Sequence, residues 1–184
     1  MQHVTVLRHA ETQSNGTGTY MGSLDVPATA LGLSHARKLR IDLDEYDHLV
    51  TSPLRRASDT LEALAPNRPT GVDPRLAERR LGVWEGMSRA RVAAQYPDFF
   101  LADDVMDATK TPPAGEPFAA FVERVESVLR EAERSDKSLL VVTHNGWIRT
   151  ARYVLGEISC ESIFAESEPH LVPVRLALTA VRED

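Results

Sequence analysis

The stretch His3-Val4-Thr5-Val6-Leu7-Arg8-His9-Ala10-Glu11-Thr12 begins as a β-branched apolar run and ends on a cation beside an imidazole. Residues 3–7 read as a buried strand. An arginine and a histidine at the carboxyl end of such a strand stand where open α/β sheets bind their ligands. His9 is placed to act as a nucleophile, with Arg8 beside it to hold an anion. A pair this short also arises by chance, so its weight depends on what the rest of the chain supplies.

The rest of the chain repeats the strand-then-helix pattern. Residues 13–25, with three glycines, read as a loop lying over His9. Thr29 can cap a helix over residues 30–43, with Leu31, Leu39 and Leu43 on its inner side. A strand at 47–51 precedes Ser52-Pro53, read as a helix cap followed by proline at the first helical position. Leu54, Ala57, Leu61 and Leu64 carry that helix. Residues 67–73 are turn-rich, Ser88 caps a helix ending near Pro97, and 103–117 is irregular, with three prolines and a glycine.

Further on, Phe118, Phe121, Val122, Val125 and Leu129 mark an amphipathic helix over 118–133. Residues 138–143 form a nearly continuous apolar run, as in a central parallel strand covered on both faces. A helix at 145–155 and a last strand at 172–181 complete the alternation. It predicts an α/β fold, a doubly covered, mostly parallel sheet. No repeat or interdomain linker appears, so residues 1–184 read as one domain.

Composition narrows the function. The 184 residues are 42% hydrophobic and 26% charged, as in ordinary globular proteins. A net charge of -6 argues against a nucleic-acid-binding surface, so an anion site must be a local concentration of Arg and His. One cysteine, Cys160, excludes an intramolecular disulfide and a Cys-based metal site. The chain enters a strand almost at Met1 without a signal-peptide pattern, and no apolar stretch approaches membrane-spanning length, so a cytoplasmic protein is expected.

Three further segments supply what phosphoryl transfer needs. Thr51-Ser52-Pro53-Leu54-Arg55-Arg56 places guanidinium groups at a helix start, where free N–H groups and the dipole favour phosphate. Leu139-Leu140-Val141-Val142-Thr143-His144-Asn145-Gly146 ends a second buried strand on a histidine. Leu76-Ala77-Glu78-Arg79-Arg80 offers Glu78 as a proton donor; a salt bridge to Arg79 or Arg80 is its plainer reading. Taken singly, each segment has an ordinary structural explanation: an exposed arginine pair, a core histidine, a surface ion pair. Two histidines ending two strands at one sheet edge are harder to explain that way.

Together the segments resemble the histidine phosphatase superfamily, the phosphoglycerate-mutase-like enzymes, in order and over nearly the whole chain. The Arg-His-Gly/Ala-Glu-Thr start matches residues 8–12, with the following Asn at Asn15. Ser-Pro-Leu-x-Arg-Ala matches 52–57, so the family's phosphate-binding arginine falls on Arg56 and Arg55 takes the variable position. Leu-x-Glu-x-x-x-Gly-x-Trp-Glu-Gly matches 76–86 and places the proton donor at Glu78. Ser/Thr-His-x-Gly matches 143–146 and places the second histidine at His144; Pro-x-Gly-Glu matches 113–116. The departures are Ala10 and Asn145, where glycine is common, and Ser14, where tryptophan is frequent. Asn145 is read as tolerating a left-handed turn after His144.

The resemblance implies a three-layer α/β/α sandwich and a metal-independent phosphomonoester hydrolase working through phosphorylated His9. Arg8, Asn15, Arg56 and His144 would bind the phosphoryl group, and Glu78 would protonate the leaving oxygen. No metal and no other cofactor is implied. The expected partner is a small phosphorylated substrate, with a homodimer as an option and no nucleic acid or membrane. The alternatives are a cofactor-dependent mutase, a phosphoprotein phosphatase, and a phosphate-binding module without turnover. The mutases carry a longer segment after Trp-Glu-Gly with an Arg pair for the substrate carboxylate. Residues 87–117 are short and read Lys110-Thr111-Pro112-Pro113, which favours hydrolysis, although Pro169-His170-Leu171-Val172-Pro173 is similar to the mutases' entry to the last strand. Residues 17–24, 87–117 and His170 are expected to set the substrate, with Arg89 and Arg91 as candidate contacts to a second anion or, more simply, a solvated helix face.

Overall fold

In the computed structural model, residues 3–101 and 105–178 are described here. Five strands form one sheet: β1 (His3–Arg8), β2 (His48–Thr51), β3 (Gly71–Val72), β4 (Leu139–Thr143) and β5 (Pro173–Ala177). Their order is β3-β2-β4-β1-β5. The pairs β1–β4, β4–β2 and β2–β3 are parallel, and β5 runs antiparallel along the β1 edge. The sheet is therefore mostly parallel, as the alternation of elements requires.

Side chains alternate across the sheet and build two cores. On one face Val4, Val6 and Val141 meet α5 (Phe118–Arg134) and α6 (Asn145–Val154) through Phe121, Val125, Leu129, Ile148 and Ala151. On the other, Leu7, Leu140 and Val142 meet Ala57 and Leu61 of α3 (Arg55–Leu64). Helix α2 (Ala30–Lys38) packs against α3. Helices on both faces of one sheet give the three-layer α/β/α arrangement. A third cluster around buried Trp84, with Leu81, Val92 and Met106, includes α4 (Arg89–Gln95).

Several local expectations are corrected. Residues 13–25 are not wholly loop: α1 (Gln13–Thr17) follows Thr12, whose backbone N–H and hydroxyl both donate to Asn15 Oδ1 at 2.8 Å. Helix α2 ends at Lys38, not 43, and Leu31 is 62% exposed rather than inward. The inner face is made of small residues, Gly32 and Ala36, because Gly32 lies against the Glu11 backbone: a Cβ there would sit 3.0 Å from Glu11 N and O. Leu39 and Leu43 reach the α3-side core from the chain beyond the helix. Thr29 does cap α2, accepting from Gly32 N.

Ser52 is no helix cap. Its amide continues the sheet ladder to Val142 O, and α3 begins three residues later with Leu54 at its cap. The turn-rich 67–73 contains β3, parallel to β2. Ser88 caps α4 as expected, accepting from Arg91 N. The last strand is shorter than 172–181; residues 179–181 of that range, and 103–104 of the irregular stretch, lie outside the described residues.

Candidate active site

Strand register decides what converges. Arg8 pairs with Thr143, and Thr51 with Val142, so β1, β4 and β2 end level at one edge. The next residue of each, His9, His144 and Ser52, emerges there side by side. The His9 amide donates to Thr143 O at 3.0 Å and the Ser52 amide to Val142 O at 3.0 Å. A cavity of about 760 Å³ opens above them, lined at this end by Arg8, His9, Asn15, Arg56, Glu78 and His170.

His9 is 2% exposed. Its Nδ1 lies 2.7 Å from Ala10 O, an acceptor only, so Nδ1 carries the proton and Nε2 keeps its lone pair. Burial first, then the Arg56 charge, hold this imidazole well below its ordinary 6.5. It is neutral at pH 7, as a nitrogen nucleophile must be.

His144, fully buried, caps α6 with its ring centroid 5.2 Å from that of His9. Arg56 Nε donates to its Nδ1 at 3.2 Å, and Nε2–H donates to Ser52 Oγ at 2.7 Å. Burial, then Arg56, lower its pKa well below the ordinary value. His144 thus stands behind the cavity rather than in its lining.

Arg56 is 1% exposed and Arg55 is exposed. The Arg56 guanidinium also donates to Leu24 O at 2.6 Å and Gly22 O at 2.8 Å, which fastens the loop over the site. Three of its five N–H donors are used in these contacts, leaving two for an anion. Glu85 holds the same loop, accepting from Ser23 N, Ser23 Oγ and Leu81 N. Arg8 donates from Nη1 to Ser167 Oγ at 2.8 Å and Glu168 O at 2.5 Å, while its buried Nε–H has no partner among the described residues. An orphaned guanidinium donor beside a cavity is a site for a ligand acceptor.

Glu78 is half-buried and makes no ion pair with Arg79 or Arg80. Its Oε1 accepts from Arg79 N and its Oε2 from Gly146 N, each at 3.0 Å, while the Arg79 guanidinium donates to the carbonyls of Ala108, Lys110 and Glu116. The carboxylate therefore rests on the first turn of α6, on the positive end of the helix. At Gly146 a Cβ would stand 2.5 Å from Glu78 Oε1, so any larger residue there has to move the carboxylate. Asn15 uses Oδ1 on Thr12, leaving its Nδ2 donors for the cavity.

Three residues escaped the reading of the sequence in part or whole. His170, taken only as a substrate-setting position, lies against the site: Nδ1–H donates to His9 O at 2.6 Å, and the two rings are 5.4 Å apart. The signal was available, because a residue just before an antiparallel edge strand returns to the edge where β1 ends. Ser52, a cap by its sequence pattern, instead stands against His144. Asn145 is not a left-handed turn residue; it is the first residue of α6, and its Oδ1 accepts from Ser167 Oγ and Glu168 N. Arg89 lines the cavity, whereas Arg91 does not.

A family model for the histidine phosphatase superfamily, branch 1, matches residues 4–166. The chain belongs to that superfamily. The adenosylcobalamin/α-ribazole phosphatase of Escherichia coli is 32% identical over 149 residues, covering 77% of this chain and 72% of that protein. A 2,3-bisphosphoglycerate-dependent phosphoglycerate mutase of Gloeobacter violaceus is 28% identical over 186 residues, covering 95% and 84%. Among solved structures, mycobacterial glucosyl-3-phosphoglycerate phosphatase, determined with VO3, aligns with a TM-score of 0.82 at 27% identity, covering 96% of this chain and 93% of that one. The three-layer architecture is that of this histidine phosphatase group.

Proposed function

We propose that this histidine phosphatase is a metal-independent phosphomonoester hydrolase acting on a small phosphorylated metabolite through a phosphohistidine on His9. The observation that carries the reading is the fixed tautomer of neutral His9, with its free nitrogen beside the unpartnered Arg8 donor and the spare donors of Arg56.

In the first step the His9 Nε2 lone pair attacks phosphorus while the P–O bond to the leaving group breaks. Glu78 serves as the acid that delivers a proton to the departing oxygen. Arg8, Arg56 and the Asn15 amide take up the charge on the phosphoryl oxygens. His144 acts from behind them: its Nδ1 accepts from Arg56 Nε and orients that guanidinium toward the phosphoryl group. In the second step Glu78, now a carboxylate, takes a proton from water; the water oxygen attacks phosphorus, the P–N bond breaks, and phosphate leaves.

Phosphate release from p-nitrophenyl phosphate in EDTA tests the reading, with acid-quenched enzyme carrying an acid-labile, base-stable phosphoryl group absent from His9→Ala. Label on a serine or a carboxylate overturns it. The mutase reading draws on the Gloeobacter relative; phosphoryl return to a bound sugar acid faster than release to water decides for it. Among the described residues no helix is long and apolar enough to cross a membrane. We place the enzyme in the cytoplasm as one domain, with self-association as a homodimer open to sedimentation measurement.

A further inference from the structure

The cavity above His9 is far larger than a phosphoryl group, at about 760 Å³. Away from the cations its wall changes character: Tyr20, Leu81, Ala93, Phe100, Met106 and Phe164 line it. Tyr20, Phe100 and Phe164 are half-buried, packed on one side against the Trp84 cluster. Phe100 stacks on Trp84 with centroids 6.2 Å apart at 17°, and Tyr20 lies 5.8 Å from it. Trp84 itself is fully buried, so these rings are held from behind and keep a side toward the cavity. Apolar faces grouped around a concave site, with a few polar groups at one end, are the form of a pocket for a partly apolar ligand.

The charges at the rim point the same way. Arg89 lies near the Tyr20 ring, at 5.9 Å, but exposed Glu11 and Glu166 also line the cavity. Glu166 is paired with Arg149 Nη1 at 3.3 Å, which leaves Glu11 to oppose a second anionic group, while an uncharged ring meets no such opposition.

We infer that the cavity takes phosphomonoesters whose leaving group carries a bulky apolar or aromatic portion, held by Tyr20, Phe100 and Phe164. The inference rests on the phosphatase reading of the same cavity and names its substrate class. Non-hydrolysable phosphonates separate the two. Calorimetric titration of the wild-type protein compares 3-phenylpropylphosphonate, n-propylphosphonate and 3-phosphonopropanoate. The phenyl compound should bind at least about tenfold more tightly than the propyl one, and Phe164→Ala should shrink that ratio. Equal affinities overturn the inference. So does tightest binding of 3-phosphonopropanoate, which would give the far end to Arg89 and a carboxylate. A phenyl preference without hydrolysis of p-nitrophenyl phosphate keeps the apolar site and removes the phosphatase.

Discussion

The Nε of Arg56 donates to Nδ1 of His144 across 3.2 Å, so a permanent cation faces the acceptor nitrogen of a buried imidazole. His144 cannot take a proton there without losing that bond and meeting a like charge. The arrangement keeps the ring neutral.

Stability should therefore fall in acid. Burial and then the Arg56 charge hold both His9 and His144 well below the ordinary 6.5. Unfolded, each takes a proton near 6.5; folded, each refuses it. Their contribution is complete above about pH 6.5 and declines as the pH drops toward the folded values, by at most about 1.4 kcal/mol per pH unit for each ring. Thermal melts from pH 7.5 to 5 should show a falling Tm, lessened by added phosphate. A level Tm across that range means the two rings are not held neutral.

Glu78→Gln should distinguish substrates by leaving group. General acid catalysis is worth about 10²–10⁴-fold and matters least when the leaving group departs readily as an anion. Single-turnover phosphorylation of His9 by an alkyl phosphate should slow far more than by p-nitrophenyl phosphate. Equal slowing removes Glu78 as the acid and makes Glu11 the next carboxylate to test.

Gly146→Ala places a methyl 2.5 Å from Glu78 Oε1 and must push the carboxylate aside. Displacement of a catalytic group by about 1 Å costs on the order of 10²-fold. We expect kcat to fall by that order on alkyl phosphates with KM little changed, since the arginines stay in place. An unchanged kcat would falsify the assignment of Glu78 to the chemical step.

Asn145→Ala removes the acceptor for Ser167 Oγ and Glu168 N, the two residues that in turn receive the Arg8 Nη1 bonds. Loss of about 1 kcal/mol of hydrogen bonding corresponds to roughly fivefold weaker anion binding. The inhibition constant for inorganic phosphate should rise by about that factor while the Tm moves little. If phosphate inhibits the variant as strongly as the wild type, Arg8 is held by the 167–168 segment without help from Asn145.

The sequence by itself determined the order of the main strands and helices, α1 and β3 excepted, because apolar period and cap chemistry are local properties. Residues 139–143 read as a covered strand and form one, and Ser88 and Thr29 mark real helix starts. The motifs around His9, Arg56 and His144 were also legible, since each sits at the end of such an element, and Glu78 was legible from its motif alone. Tertiary structure decided the rest. Leu31 faces solvent, and the side of α2 turned inward carries Gly32 close against the Glu11 backbone. Ser52 Oγ meets His144 as well as the Leu54 amide at the start of α3, because strand register sets β2 beside β4. His170 meets His9, and Asn145 reaches Ser167, across more than 20 residues of chain. Such contacts follow from where strands pair and helices pack, and no local pattern records the partner a side chain will meet after folding.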